Sequence, residues 1–103
     1  MQRRLAYTAG SLALALAISA ARAGSSDVGR DIAATCASCH GTDGRSRGSI
    51  PALAGRDARS LVREMQAFRD GSRSSTIMQQ LAKGYTDAQI EAAAAYFAAQ
   101  KAQ

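Results

Sequence analysis

Cys36-Ala37-Ser38-Cys39-His40 gathers both cysteines and the single histidine of a 103-residue chain into five consecutive positions. Four chemistries use two thiols and an imidazole so close together. A thioredoxin-type redox pair uses C-x-x-C at the start of a helix, but inside a βαβ unit. A structural zinc takes four protein ligands as a rule, and this stretch provides three. A disulfide between near neighbours closes a tiny loop, constrains little of the unfolded chain and leaves the histidine without a role. Covalent haem attachment through C-x-x-C-H uses every residue. Cysteines three apart on a helix lie on one face, so both sulfurs reach the two vinyl groups of one porphyrin edge. His40 then ligates the iron from below the ring.

The chain around this stretch fits that chemistry. Arg3 and Arg4 open it, and an uncharged run of 17 residues follows from Leu5 to Ala21. Ala21-Arg22-Ala23 supplies the small-x-small pattern of a signal-peptidase site. Residues 1–23 therefore read as a secretory signal peptide, with a mature domain at 24–103 in the periplasm, where bacterial c-type haem is attached. The run is too short and too rich in Ala, Ser and Thr for a spanning helix, which wants ~20 strongly apolar residues. No stable membrane span is expected after cleavage. The full chain carries 13 basic and 8 acidic residues, net +5, and removing Arg3, Arg4 and Arg22 takes the balance to +2. That excess, with no basic run, excludes a nucleic-acid partner.

The remaining 80 residues hold one Pro, no Trp and much Ala. Chains this small struggle to bury enough apolar surface to offset chain entropy. A flat, largely apolar macrocycle supplies the missing area. Helical spacing of Val28, Ile32, Cys36 and Cys39 predicts a first helix from Asp27 to Cys39, capped by Ser26 or Asp27. GTDGRSRGSIPALAG, residues 41–55, carries four glycines and the only proline and reads as a loop. A second helix is expected over residues 57–70, with Ala58, Leu61, Val62, Met65 and Phe68 as its apolar stripe and Gly71 as its C-terminal cap. Residues 72–84 are irregular, with one helical turn around 76–81. Thr86-Asp87-Ala88-Gln89 is a capping box, and the last helix carries Ile90, Ala93 and Phe97 on one face. No segment alternates with period two. The fold class expected is all-α, three to four helices wrapped around one haem.

The sixth iron ligand has four candidates. Lys83 and Lys101 are poor ligands at neutral pH. Met65 falls on an apolar helical stripe, where core packing accounts for it. Met78 lies in the irregular stretch before the last helix, from which a loop can carry its thioether across the haem face. A His40/Met78 pair raises the reduction potential, because the soft sulfur favours ferrous iron. It also fills both axial positions, so the expected chemistry is one-electron transfer, and no residue is assigned a catalytic role.

With these residues in place, the sequence resembles the class I cytochrome c family. It is similar to the small bacterial single-haem cytochromes and to the haem domains of flavocytochrome c sulfide dehydrogenase. CASCHGTDG, IPALAG and TIMQQLAKGYTDAQIEAAAAYFA carry the resemblance across essentially the whole mature chain. It implies that the Pro51 carbonyl accepts a hydrogen bond from His40, that Met78 is the axial ligand, and that Gly29 packs against the Tyr96 ring where the first and last helices cross. Close relatives carry leucine where this chain has Ala93, which implies a gap in the packing. Arg56 and Arg59 are the arginines best placed for a haem propionate, and the other loop arginines are placed to steer an acidic partner. The partner implied is a redox protein, met either by a free carrier or by the cytochrome subunit of a flavoprotein dehydrogenase. The competing readings are an open-site haem enzyme or gas sensor with Met78 off the iron, and a thiol–disulfide module without haem.

Overall fold

The computed structural model describes the backbone from Ser11 and complete residues from Ser26 to Gln103. The expected signal peptide, residues 1–23, with its cleavage site, lies outside the fully described residues. Four helices follow one another: α1 Ser11–His40, α2 Ala58–Asp70, α3 Met78–Ala82 and α4 Asp87–Ala98, with a 3-10 turn at Thr42–Gly44 between the first two. No strand occurs among the described residues, so the fold is all-α as expected.

Local chemistry sets most of the boundaries. The Asp57 carboxylate accepts from the Ser60 amide and starts α2, and Gly71, at φ 81°, ends it in the left-handed conformation. The Thr86 hydroxyl accepts from the Gln89 amide while the Gln89 side chain accepts from the Thr86 amide, completing the capping box of α4. The start of α1 differs from expectation. Ser26 and Asp27 lie inside the helix rather than capping it, because the helix runs back to Ser11. The preceding residues are dominated by Ala and Leu, the best helix formers, and contain no proline to stop it.

The core is small and rich in alanine. Ala33, Leu61, Ala94 and Phe97 form its centre, with Cys36, Leu53, Ala58, Val62 and Tyr96 packed around them. The buried positions of α1 are Gly29, Ala33 and His40, with Ile32 and Cys36 half-buried beside them; Val28 and Cys39 of the stripe that hydropathy suggests are exposed. Val28 is 43% exposed. The reason is steric: two helix backbones approach closely only where side chains are smallest. A Cβ on Gly29 would lie 2.4 Å from the Ala92 carbonyl oxygen of α4. The Gly29 contact is therefore first with the α4 backbone; the nearest Tyr96 atom is its Cβ, at 3.5 Å from the same point. On α4 the buried positions are Ile90, Ala94 and Phe97, so the inner face passes through Ala94, and Ala93 is only half-buried.

Candidate haem-attachment site

The CASCH stretch forms the C-terminal end of α1. Cys36 and Cys39 are free thiols one turn apart, the first half-buried and the second exposed. Cys36 Sγ donates to the Ile32 carbonyl at 3.4 Å. Burial pushes the Cys36 thiol up, against a smaller lowering by the Thr35 hydroxyl and a further rise from Cys39. A redox-active C-x-x-C needs the opposite shift, a lowered nucleophilic thiolate. No strand lies among the described residues, so the βαβ setting of a thioredoxin-type pair is missing there as well.

His40 is the one buried polar residue among the described residues. Its Nδ1 lies 2.6 Å from the Pro51 carbonyl oxygen. A carbonyl only accepts, so Nδ1 carries the proton and donates. In the neutral imidazole this leaves Nε2 with a free lone pair, the state that a metal ligand needs. The loop that brings Pro51 back is folded by glycines. Gly41 and Gly44 take φ values of 82° and 77°, and the Gly44 carbonyl accepts from both Leu53 (2.8 Å) and Ala54 (3.2 Å). A Cβ on Gly44 would sit 2.8 Å from the Phe97 ring, so no other residue fits that corner. Asp43, also left-handed at φ 53°, accepts from the Tyr96 hydroxyl and ties the turn to α4. That hydrogen bond to a carboxylate pushes the Tyr96 hydroxyl above its ordinary range.

Met78 opens α3, whose N-cap Ile77 provides no side-chain hydrogen bond. It is half-buried, as is Met65 in the middle of α2, so burial alone does not rank the two. Lys83 and Lys101 are exposed. The structure thus brings Cys36, Cys39, His40 and Pro51 together at one end of α1 and places Met78 on a separate short helix.

The donor set fits haem. Two free thiols on one helical face precede an imidazole whose Nδ1 is already committed, and large apolar side chains remain at the surface: Val28, Ile50, Ile77 and Leu81. No group of three or more His, Cys, Asp or Glu suited to a bare metal ion occurs among the described residues. Arg56, one of the two arginines read as best placed for a propionate, pairs through both terminal nitrogens with Glu64. Glu64 also meets Arg73 at 3.3 Å. Arg59 is exposed and makes no such pair.

Three contacts escape sequence reasoning. Tyr85 meets Thr35 across 50 positions, Tyr96 meets Asp43 across 53, and Arg69 meets the Tyr85 carbonyl across 16. No local pattern signals them, because each partner is an ordinary surface residue in its own segment.

Comparison with known proteins agrees with this geometry. A family model described as Cytochrome c matches residues 26–101. The "Cytochrome subunit of sulfide dehydrogenase" of Chlorobaculum tepidum is 42% identical over 69 residues, covering 67% of this chain and 63% of that protein. "Cytochrome c-554(548)" of Halomonas halodenitrificans is 39% identical over 83 residues, covering 77% of this chain and 100% of that protein. "Cytochrome c4" of Pseudomonas aeruginosa is 40% identical over 91 residues, covering 87% of this chain but 45% of that protein. The chain therefore spans less than two thirds of the Chlorobaculum and Pseudomonas proteins and the whole of the Halomonas one.

Proposed function

The chain belongs to the cytochrome c family, and on that premise we propose that it is a one-electron carrier holding a single covalent haem, exported to the periplasm after loss of residues 1–23. The observation that carries this reading is the His40 Nδ1–Pro51 hydrogen bond directly after two free thiols on one helical face.

Each residue has a role in the proposal. Cys36 and Cys39 would hold the porphyrin to α1 through two thioether bonds, each thiol adding its S and H across one vinyl double bond with nothing lost. Bound haem supplies a one-electron iron couple. His40 offers Nε2 as the proximal ligand, and Pro51 holds the ring in the tautomer and orientation that ligation requires. Met78 would offer its thioether as the second iron ligand, a soft donor that favours the ferrous state. The protein is thus a carrier without a substrate site. No helix among the described residues is long and apolar enough to cross a membrane.

The redox partner in this reading is a flavoprotein dehydrogenase that the protein serves as cytochrome subunit. What supports it is the similarity to the Chlorobaculum protein, a cytochrome subunit of sulfide dehydrogenase. The balance of only +2 for residues 24–103 weakens long-range steering, so a docked complex suits it. A free carrier is the other outcome. Mild purification from the native periplasm separates them: co-elution with a yellow flavoprotein whose substrate reduces this haem supports the subunit, and a lone monomer refutes it.

Intact mass and spectrum test the site itself. The product expected from haem-competent cells begins at Gly24 and keeps its haem in acid-acetone. Met78→Ala is expected to abolish the weak near-red band of sulfur-ligated ferric haem and to admit carbon monoxide to the ferrous protein. Met65→Leu keeps the band and costs under ~1.5 kcal/mol as a near-isosteric swap. Loss of the band in Met65→Leu alone would move the ligand to α2. Carbon monoxide binding by the unmutated protein would make it an open-site haem protein instead.

A further inference from the structure

We infer that Tyr85 and Thr35 are positioning residues for the distal ligand: their hydrogen bond latches the end of the Met78 segment to the turn of α1 that bears Cys36. The inference rests on the proposed axial role of Met78.

The segment needs such a latch. Every residue from Gly71 to Ile77 is exposed. The helix that follows, Met78–Ala82, is five residues long; its N-cap Ile77 gives no side-chain hydrogen bond, and the Ser75 hydroxyl that accepts from the Gln79 amide at 3.0 Å belongs to the same exposed segment. A helix so short has no stability of its own, since nucleation costs more than its few hydrogen bonds return. Its fixed point within the protein is Ala82, which is fully buried. The Tyr85 amide donates to the Ala82 carbonyl at 3.3 Å, so the position of Tyr85 is transmitted directly to that point.

The direction of the latch follows from the hydrogen count. Thr35 Oγ1 donates its only hydrogen to the Ile32 carbonyl at 2.7 Å. It can then only accept from the Tyr85 hydroxyl, 3.0 Å away. The Tyr85 O–H donates, and the two bonds polarise one another in a short chain running to the α1 backbone. Thr35 precedes Cys36, and its Oγ1 lies 4.0 Å from the Cys36 sulfur. On the other side, Arg69 of α2 donates to the Tyr85 carbonyl at 3.3 Å and pairs with Asp87 at the start of α4. Tyr85 is thus held by its backbone to α2 and by its side chain to the haem-bearing turn. Six residues lie between it and Met78, and Ala82 is the one buried residue among them. Cutting the side-chain bond leaves the ring packed but frees the segment that carries the thioether.

The test uses the haem-loaded protein and reads competition at the iron. Imidazole displaces a loosely held thioether from ferric haem, and the loss of the near-red band follows it. Tyr85→Phe and Thr35→Val are each expected to raise the apparent imidazole affinity on the order of 2- to 10-fold, the range for loss of one hydrogen bond. The double variant is expected to match either single one, and Thr35→Ser, which keeps the hydroxyl, to restore the native affinity. Unchanged imidazole affinity in both single variants, or additive effects in the double variant, overturns the latch, whatever happens to global stability. Met78→Ala in the same titration keeps the two ideas apart. A retained band there means that Met78 is not the ligand and both readings fall; a lost band with insensitive Tyr85 and Thr35 variants removes the latch alone.

Discussion

Residues 41–55, which follow His40, and residues 71–86, which carry Met78, are both loops of similar length, but they are held by different kinds of contact. The first is stitched through the backbone. The Gly44 carbonyl takes two amides from Leu53 and Ala54, and the Gly55 amide donates to the Phe97 carbonyl of α4 at 2.9 Å. The second makes backbone hydrogen bonds only with near neighbours, such as Arg73 with Ala67 and Gln80 with Ile77. Its ties to the rest of the protein run through side chains: Tyr85 with Thr35, Arg69 with the Tyr85 carbonyl, and Arg73 with Glu64. A backbone-stitched loop positions a ligand rigidly. A loop held by single side chains gives way one bond at a time. In the proposed reading, the difference would make His40 the fixed ligand and Met78 the replaceable one.

Two glycines with nearly the same backbone test this most severely. Gly44 has φ 77° and Gly71 has φ 81°. Either substitution by alanine forces a left-handed Cβ, at about 1–2 kcal/mol. At Gly44 the Cβ also meets the Phe97 ring at 2.8 Å and the Ala54 amide at 2.9 Å, whereas at Gly71 it meets only the flexible end of Gln79 at 3.1 Å. Gly44→Ala is therefore expected to cost about 2–4 kcal/mol in denaturant unfolding. Gly71→Ala should cost the left-handed penalty alone. Equal losses would mean that the proximal corner is no tighter than the distal one.

The seam between α1 and α4 gives a smaller effect of both signs. Ala94 is buried, so Ala94→Leu is expected to lower stability by about 1–3 kcal/mol through overpacking. Ala93 is half-buried, at the position where the sequence resemblance implies leucine, and Ala93→Leu is expected to gain on the order of 1 kcal/mol. A lower melting temperature for Ala93→Leu would show that its neighbours have already closed around the alanine.

The smallest effect joins the two loops. Glu64 of α2 pairs with Arg56, at the end of the first loop, and with Arg73, at the start of the second. Arg56, then the charge of Arg73, hold its carboxyl below the ordinary value of 4.5. A depressed carboxylate contributes stability above that value and loses it as pH falls through its lower folded value. Glu64→Gln should cost no more than about 1 kcal/mol at neutral pH, as expected for a partly exposed pair. The two proteins should converge in acid; a gap that persists at pH 2 would assign the loss to packing.

Sequence alone determined much of this protein. The CASCH stretch, the Thr86 capping box and the Gly71 stop each depend on residues within four positions of one another, where propensity and hydrogen-bonding reach decide the outcome. Tertiary structure decided the rest. The buried face of α1 runs through Gly29 and Ala33 because helix axes approach where side chains are smallest, and hydropathy gives a glycine no weight. Arg56 turned to Glu64, and Tyr85 to Thr35, because folding set them side by side. A polar side chain's partner is whatever the fold places within about 3 Å, and its own segment carries no record of that choice.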